Sequence, residues 1–247
     1  MPKFFVLPEK VQNNKIIIDT DDVAHIRRVL RMNVGDELLV CDSSGCDYDA
    51  KIAEMDEKKV VCDIIEKKKS QTESEIELTL YQGIPKGSKM EFIIQKNCEL
   101  GIKRIVPVAM QRCVSKLENR KAEEKKVIRW QKIAEEAAKQ SGRGIIPEIL
   151  MPISLKDAVE ELKKADLAFV PYECEGENLL KPLLKSNSDA KKIGFLIGPE
   201  GGFDLSEIEM IKAAGLSPVT LGKRILRTET AGMAVSAIVM YEIGDLS

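Results

Sequence analysis

Apolar and polar positions divide the chain into two regions of different rhythm. Up to about residue 65 the apolar residues come in short runs at 4–7, 15–18, 37–41, 48–53 and 60–65, rich in β-branched side chains. Turn-forming segments separate them: Asn13-Asn14, Val34-Gly35-Asp36 and Asp42-Ser43-Ser44-Gly45. Runs of this length and spacing predict a small β-barrel. One helix interrupts them over residues 22–30, with Thr20 or Asp21 as its N-cap. The tract 66–75 is polar and charged, opening with Glu66 and three lysines, and it predicts a linker.

Beyond that tract the rhythm changes. Residues 76–83, 104–109, 166–172, 192–197 and 218–221 read as strands, and 89–100, 119–140, 205–214 and 230–243 as helices. The helix over 119–140 carries Val127, Trp130, Ile133, Ala134 and Ala137 at three-to-four-residue spacing, an amphipathic pattern. The strands at 166–172 and 192–197 are almost continuously apolar, as expected of a parallel sheet covered on both faces. Strands alternating with helices predict an α/β domain. The last helix is apolar on nearly every side, which suits a core or a subunit interface.

Composition narrows the function classes. Of 247 residues, 44% are hydrophobic and 32% charged, enough to build a core and too apolar for a disordered chain. No apolar run approaches the ~20 residues that cross a bilayer. The N-terminus reaches Glu9 and Lys10 too early for a secretory core, so a soluble cytoplasmic protein is expected. A net charge of −2 excludes a uniformly basic coat but not a local basic face. The six cysteines form no C-x-x-C pair and the only histidine is His25, so no metal is expected. Neither a G-x-S-x-G elbow nor a P-loop occurs, which disfavours hydrolases of both kinds.

Two segments carry candidate chemistry. In Phe195-Leu196-Ile197-Gly198-Pro199-Glu200-Gly201-Gly202-Phe203-Asp204 a buried strand enters a glycine-rich turn, then a helix capped by Asp204 or Ser206. Bare backbone at the carboxyl end of a strand is where open α/β sheets bind ligands, although a tight connection alone would read the same way. The second, Thr220-Leu221-Gly222-Lys223-Arg224-Ile225-Leu226-Arg227-Thr228-Glu229-Thr230, also joins a strand to a helix, and it adds three cations. Arg224 and Arg227 suit phosphate or an anion. Two such loops in one domain favour a shared pocket. In the first region, His25-Ile26-Arg27-Arg28-Val29-Leu30-Arg31 offers either a solvated helix face or a phosphate-contacting one.

Taken in order, these segments, together with Gln95-Lys96…Glu99-Leu100-Gly101 and Glu136-Ala137…Gln140-Ser141…Arg143, resemble the bacterial 16S ribosomal RNA uracil-N3 methyltransferases of the SPOUT class. The match spans nearly the whole chain. Cys98 stands where Thr is common, and Lys3 where Arg is common, keeping the charge without the bidentate geometry.

The resemblance implies a PUA-like β-barrel over 1–70 that binds RNA. Residues 71–247 would form an α/β methyltransferase domain with a trefoil knot, which general topology rules would have excluded. It implies a homodimer, and S-adenosylmethionine as cofactor, with Pro171, Ile197, Gly198, Pro199, Glu200, Gly201, Leu221, Gly222, Ile225, Leu226 and Thr230 as its binding residues. Arg224, Arg227 and Glu229 are the implied catalytic residues, Glu200 being a second candidate base. Lys3, Arg27, Arg28, Arg31, Lys96, Arg112 and Arg143 are the implied contacts to 16S ribosomal RNA or the small subunit. The implied reaction methylates N3 of one uridine. A ribose 2′-O-methyltransferase of the same superfamily and a noncatalytic RNA-binding assembly protein remain as alternatives.

Overall fold

The computed structural model describes residues 3–114 and 119–246. Two compact units are present: Met1–Glu73 with Ala138–Ile146, and Ser74–Ala137 with Pro147–Ser247.

The first unit is built on a six-stranded sheet. Its strands are β1 (Lys3–Phe5), β2 (Val11–Gln12), β3 (Lys15–Ile18), β4 (Glu37–Cys41), β5 (Cys46–Met55) and β6 (Val60–Lys69), in the order β1-β4-β5-β6-β3-β2. Every pairing is antiparallel except β1 with β4. Alternate residues supply the core: Ile16 and Ile18, Leu38 and Val40, Ala50 and Ile52. A short helix α1 (Asp22–Ala24) runs into a π-helical turn at His25–Val29 and contributes Val23 and Ile26 to that core, three residues apart.

The charged tract does not begin a linker at residue 66. β6 continues to Lys69, pairing Asp47 with Lys68 and Tyr48 with Lys67. The lysines are the outer arm of a hairpin: Lys68 bonds Asp49 at 2.7 Å, and the Lys67 ammonium lies 5.4 Å from the Tyr48 ring centre. Opposite charges and a cation on an aromatic face across the ladder offset the low β-propensity of lysine, an effect no composition window registers.

The second unit contains a parallel seven-stranded sheet. In chain order its elements are β7 (Glu77–Gly83), α2 (Lys89–Glu99), β8 (Arg104–Ala109), α3 (Arg120–Ser141), β9 (Glu148–Ile149), β10 (Ile153–Ser154), α4 (Leu155–Leu162), β11 (Leu167–Pro171), α5 (Leu180–Lys185), β12 (Lys192–Ile197), α6 (Leu205–Ala213), β13 (Ser217–Val219) and α7 (Thr228–Glu242). The last turn of α3 is counted with the first unit. Strand order is β10-β8-β7-β12-β11-β13, with β9 also on β8. The two-residue strands and helices α4 and α5 have no counterpart in the sequence reading. The other elements match it to within two residues.

Cores on both faces explain the apolar strands. Leu78, Leu80, Ile193, Phe195 and Phe169 face one core with residues of α2, α3 and α7, whereas Tyr81, Leu196 and Val170 face the other with residues of α4 and α6. The α4 side comes so close that a Cβ on Gly194 would sit 2.7 Å from Leu162 Cδ2. α7 packs on α2, β7 and β12, which accounts for its buried side, but Ile238 and Tyr241 remain exposed.

Candidate functional site at the carboxyl ends of three strands

β11, β12 and β13 end together, and a cavity of about 470 Å³ opens beyond their carboxyl ends, within the range of small-molecule sites. The glycine turn at 198–202 forms one wall and the segment 220–227 the other. Gly222 is held at φ +104°, a conformation side-chain-bearing residues avoid, and it folds the second wall back on itself. Thr220 Oγ1 accepts the Gly222 amide at 3.1 Å and stabilises that bend.

The glycine turn is anchored at both ends. Asp204 caps α6 in a reciprocal capping box with Glu207, so Asp204 and not Ser206 is the cap. Arg112 donates to Gly201 O and to Asp204 Oδ2, both at 3.2 Å. On the inner side, the buried Thr228 hydroxyl donates to Gly198 O at 2.6 Å and accepts from Gln82 Nε2 at 2.9 Å. This chain ties β7, the glycine turn and the start of α7 together.

Ten of the eleven residues expected to bind the cofactor line the cavity: Pro171, Ile197, Gly198, Pro199, Glu200, Gly201, Leu221, Gly222, Ile225 and Leu226. Thr230 does not. α7 begins at Thr228, two residues earlier than predicted, so Thr228 and Ala231, one turn apart, face the cavity in its place. Glu229 is also outside the lining, whereas Arg224 and Arg227 line it and make no ion pair among the described residues. Tyr172, Glu173, Phe203 and Lys89 were not anticipated. The Tyr172 and Phe203 rings meet edge to face at 6.1 Å, giving the cavity an aromatic corner. Tyr172 was readable as the neighbour of Pro171; Lys89 carried no local signal.

Charge in the cavity is structured. For Glu200, burial acts to raise the carboxyl pKa, but hydrogen bonds from Lys89 and from the backbone amides outweigh it and hold the group below its ordinary value. Lys89 is raised in turn, chiefly by its hydrogen bond to Glu200. The Glu200 carboxylate is thus engaged by the Lys89 ammonium and the Lys86 amide.

The expected RNA contacts separate into two groups. Arg28 and Arg31 are exposed and Arg27 half-buried, and none makes an ion pair among the described residues. Lys96 is held by Glu99 on its own helix, and Arg112 anchors the glycine turn. Lys3 and Arg143 are corrections. Arg143 is 4% exposed and gives Glu73 two hydrogen bonds, of 3.2 and 2.6 Å, while the same carboxylate accepts the amides of Gly144 and Ile145. Half-buried Lys3 lies 3.0 Å from Asp47 Oδ1 and donates to Gly142 O. The bonds described here for both cations are to groups of the first unit.

Comparison with known proteins agrees with this geometry. Residues 72–240 match the model of an RNA methyltransferase domain, and residues 18–65 that of an RNA methyltransferase PUA domain. The ribosomal RNA small subunit methyltransferase E of Bacillus subtilis is 33% identical over 249 residues, covering 98% of this chain and 97% of that one. The protein of the same name from Mesomycoplasma hyopneumoniae is 34% identical over 94% of this chain and 96% of its own. A crystal structure of the Neisseria gonorrhoeae enzyme of that name, bound to S-adenosyl methionine, superposes with a TM-score of 0.84 at 29% identity and full coverage of both chains.

Proposed function

Because this chain belongs to the ribosomal RNA small subunit methyltransferase E family, we propose that it is the S-adenosylmethionine-dependent enzyme that methylates uracil N3 at one site of the 16S ribosomal RNA. The observation that carries the reading is the single cavity wall-to-wall between the glycine turn and the arginine segment. Its features suit the donor: backbone left bare by Gly198, Gly201 and Gly222, an aromatic corner, and both signs of charge at the rim. When bound there, S-adenosylmethionine supplies an electrophilic methyl group on its sulfonium.

The residues of this chain have three tasks. Main chain of 197–201 and 221–226 holds the donor, pre-positioning it at the near-attack separation of ~3–3.5 Å that transfer requires. Exposed Arg224 and Arg227 face the incoming base without a competing carboxylate, and they stabilise the negative charge left when the N3 proton departs. Glu200 is tied to Lys89 and Glu229 is outside the lining, so this reading assigns neither of them as the base. Arg224 and Arg227 therefore make N3 more acidic by stabilising the imide anion, and the departing proton passes to solvent water before N3 attacks the methyl group.

The PUA-like unit, in which Arg27, Arg28 and Arg31 make no ion pair among the described residues, is the RNA-holding part in this reading. The trefoil knot is part of the proposal as well: β12 lies between β7 and β11, β13 lies beyond β11, and the chain then returns to pack α7 over β7 and β12. Dimerisation through α7 is supported by its uncovered residues Ile238 and Tyr241, beside exposed Leu179. Among the described residues no helix is long and apolar enough to cross a membrane, in keeping with work on ribosomal RNA in the cytoplasm.

Transfer of tritiated methyl groups to small subunits lacking the mark, followed by digestion to nucleosides, tests the proposal. Label in 3-methyluridine supports it. Label in a ribose-methylated nucleoside, or RNA binding without any label, overturns it.

A further inference from the structure

Among the described residues lining the cavity, only Lys89 comes from α2; the others belong to the ends of β11, β12 and β13, the loops that follow them, and α7. Its ammonium lies 2.9 Å from Glu200 Oε1 and 3.6 Å from Glu229 Oε2. Glu200 belongs to the glycine turn, and Glu229 to the first turn of α7. Glu200 is further tied to the approach to α2, since the Lys86 amide donates to both of its oxygens at 3.1 and 3.3 Å. Glu229 contrasts with it: Oε2 is buried and accepts no hydrogen bond, so the Lys89 ammonium is the cation that faces it.

We propose that Lys89 is a positioning residue whose ammonium holds the glycine turn and the head of α7 at the separation where both reach one bound methyl donor. The inference rests on reading the cavity as the donor site. Two carboxylates already answer its charge, so Lys89 is not available to the acceptor base, unlike Arg224 and Arg227. The directions of titration agree, Lys89 being raised by Glu200 and Glu200 held low despite its burial.

The effect appears in donor affinity rather than in global stability. The Lys89 side chain is 38% exposed, and ion pairs this open add little to the folding equilibrium. The two walls nevertheless share a ligand. If the pairing is lost, the free protein spends less time with the walls correctly spaced, and the apparent dissociation constant rises by the inverse of the competent fraction. Saturating donor restores the spacing, so turnover is affected less than affinity.

Calorimetric binding of S-adenosylmethionine, paired with steady-state kinetics, tests this on the full chain. Lys89→Met is expected to raise the donor Kd and donor KM together by about fivefold, the scale of one exposed ion pair, with a smaller change in kcat. Lys89→Arg, which keeps charge and reach, recovers most of the loss. Adding Glu229→Gln to Lys89→Met weakens binding no further, because the two changes remove one interaction. Wild-type affinity in Lys89→Met, a fall in kcat at unchanged donor KM, or Lys89→Arg as weak as Lys89→Met would each overturn the positioning role while leaving the donor site standing. A wild-type chain that binds no donor would overturn the site itself.

Discussion

Thr228→Val tests the hydrogen-bond chain beneath the cavity at nearly constant side-chain volume. The Thr228 hydroxyl is buried and used twice, donating to Gly198 O at 2.6 Å and accepting from Gln82 Nε2 at 2.9 Å. Gln82 is completely buried, and its Oε1 already lacks a partner. Valine leaves the Gly198 carbonyl without this donor. Gln82 Nε2 retains only its 3.0 Å bond to Gly83 O. A buried polar group left unsatisfied costs roughly 1–3 kcal/mol, so the variant should lose about 2 kcal/mol. For a chain of this size that corresponds to a fall of about 4–8 °C in Tm. The chain has a single tryptophan, Trp130, which lies in the core on the same face of the sheet as α7, so its fluorescence follows this unit's unfolding in urea. The midpoint should drop with the slope unchanged. Donor affinity should fall as well, because Gly198 is part of the cavity wall, and Thr228→Ser should restore both. A loss under about 0.5 kcal/mol, within the range of ordinary surface changes, together with unaltered donor binding, would refute the reasoning.

Three other outcomes follow from the same geometry. Gly222→Val forces a β-branched side chain to φ +104° with no neighbouring atom within 4 Å, so the penalty is backbone strain of about 1–3 kcal/mol, relieved by refolding the wall; donor titration should show binding abolished while the Trp130 unfolding transition persists. Arg143→Met strips the half-buried Glu73 carboxylate of its guanidinium, leaving it the Gly144 and Ile145 amides, and should destabilise the first unit by about 1–3 kcal/mol, measured by amide hydrogen exchange in β5 and β6; weaker RNA binding with unchanged protection would contradict the structural role. Arg31→Ala, at an exposed residue, should lower the salt slope of RNA binding by about 1 without changing donor affinity, as filter binding across a salt series will report.

Much of this was legible because local pattern and tertiary role coincide. β3, β4, β8 and β12 have the limits their apolar runs suggested, since a strand buried on one or both faces needs apolar residues along its length. The glycine turn and the arginine segment stood out because close backbone approach demands glycine, and glycine is visible in one dimension. Where the reading failed, the deciding interaction was long-range. Lys67 and Lys68 looked like linker residues until Tyr48 and Asp47 were found opposite them, with the Asp49 carboxylate accepting from Lys68. Arg143 looked free until Glu73, 70 residues earlier, closed on it. Thr230 was expected at the cavity, but α7 starts two residues earlier than its apolar pattern suggested, and that shift turns Thr228 toward the cavity instead.

From its residue order alone this chain determined most of its longer strands and helices and the two loops that wall the cavity, because each depends on neighbours within a few residues. Only the folded molecule decided which cations make no ion pair among the described residues, which threonine lines the cavity and which lysine reaches its rim. Those outcomes depend on which charges and hydroxyls meet across the fold, and the energy of a pairing depends on the distance and burial of both partners together.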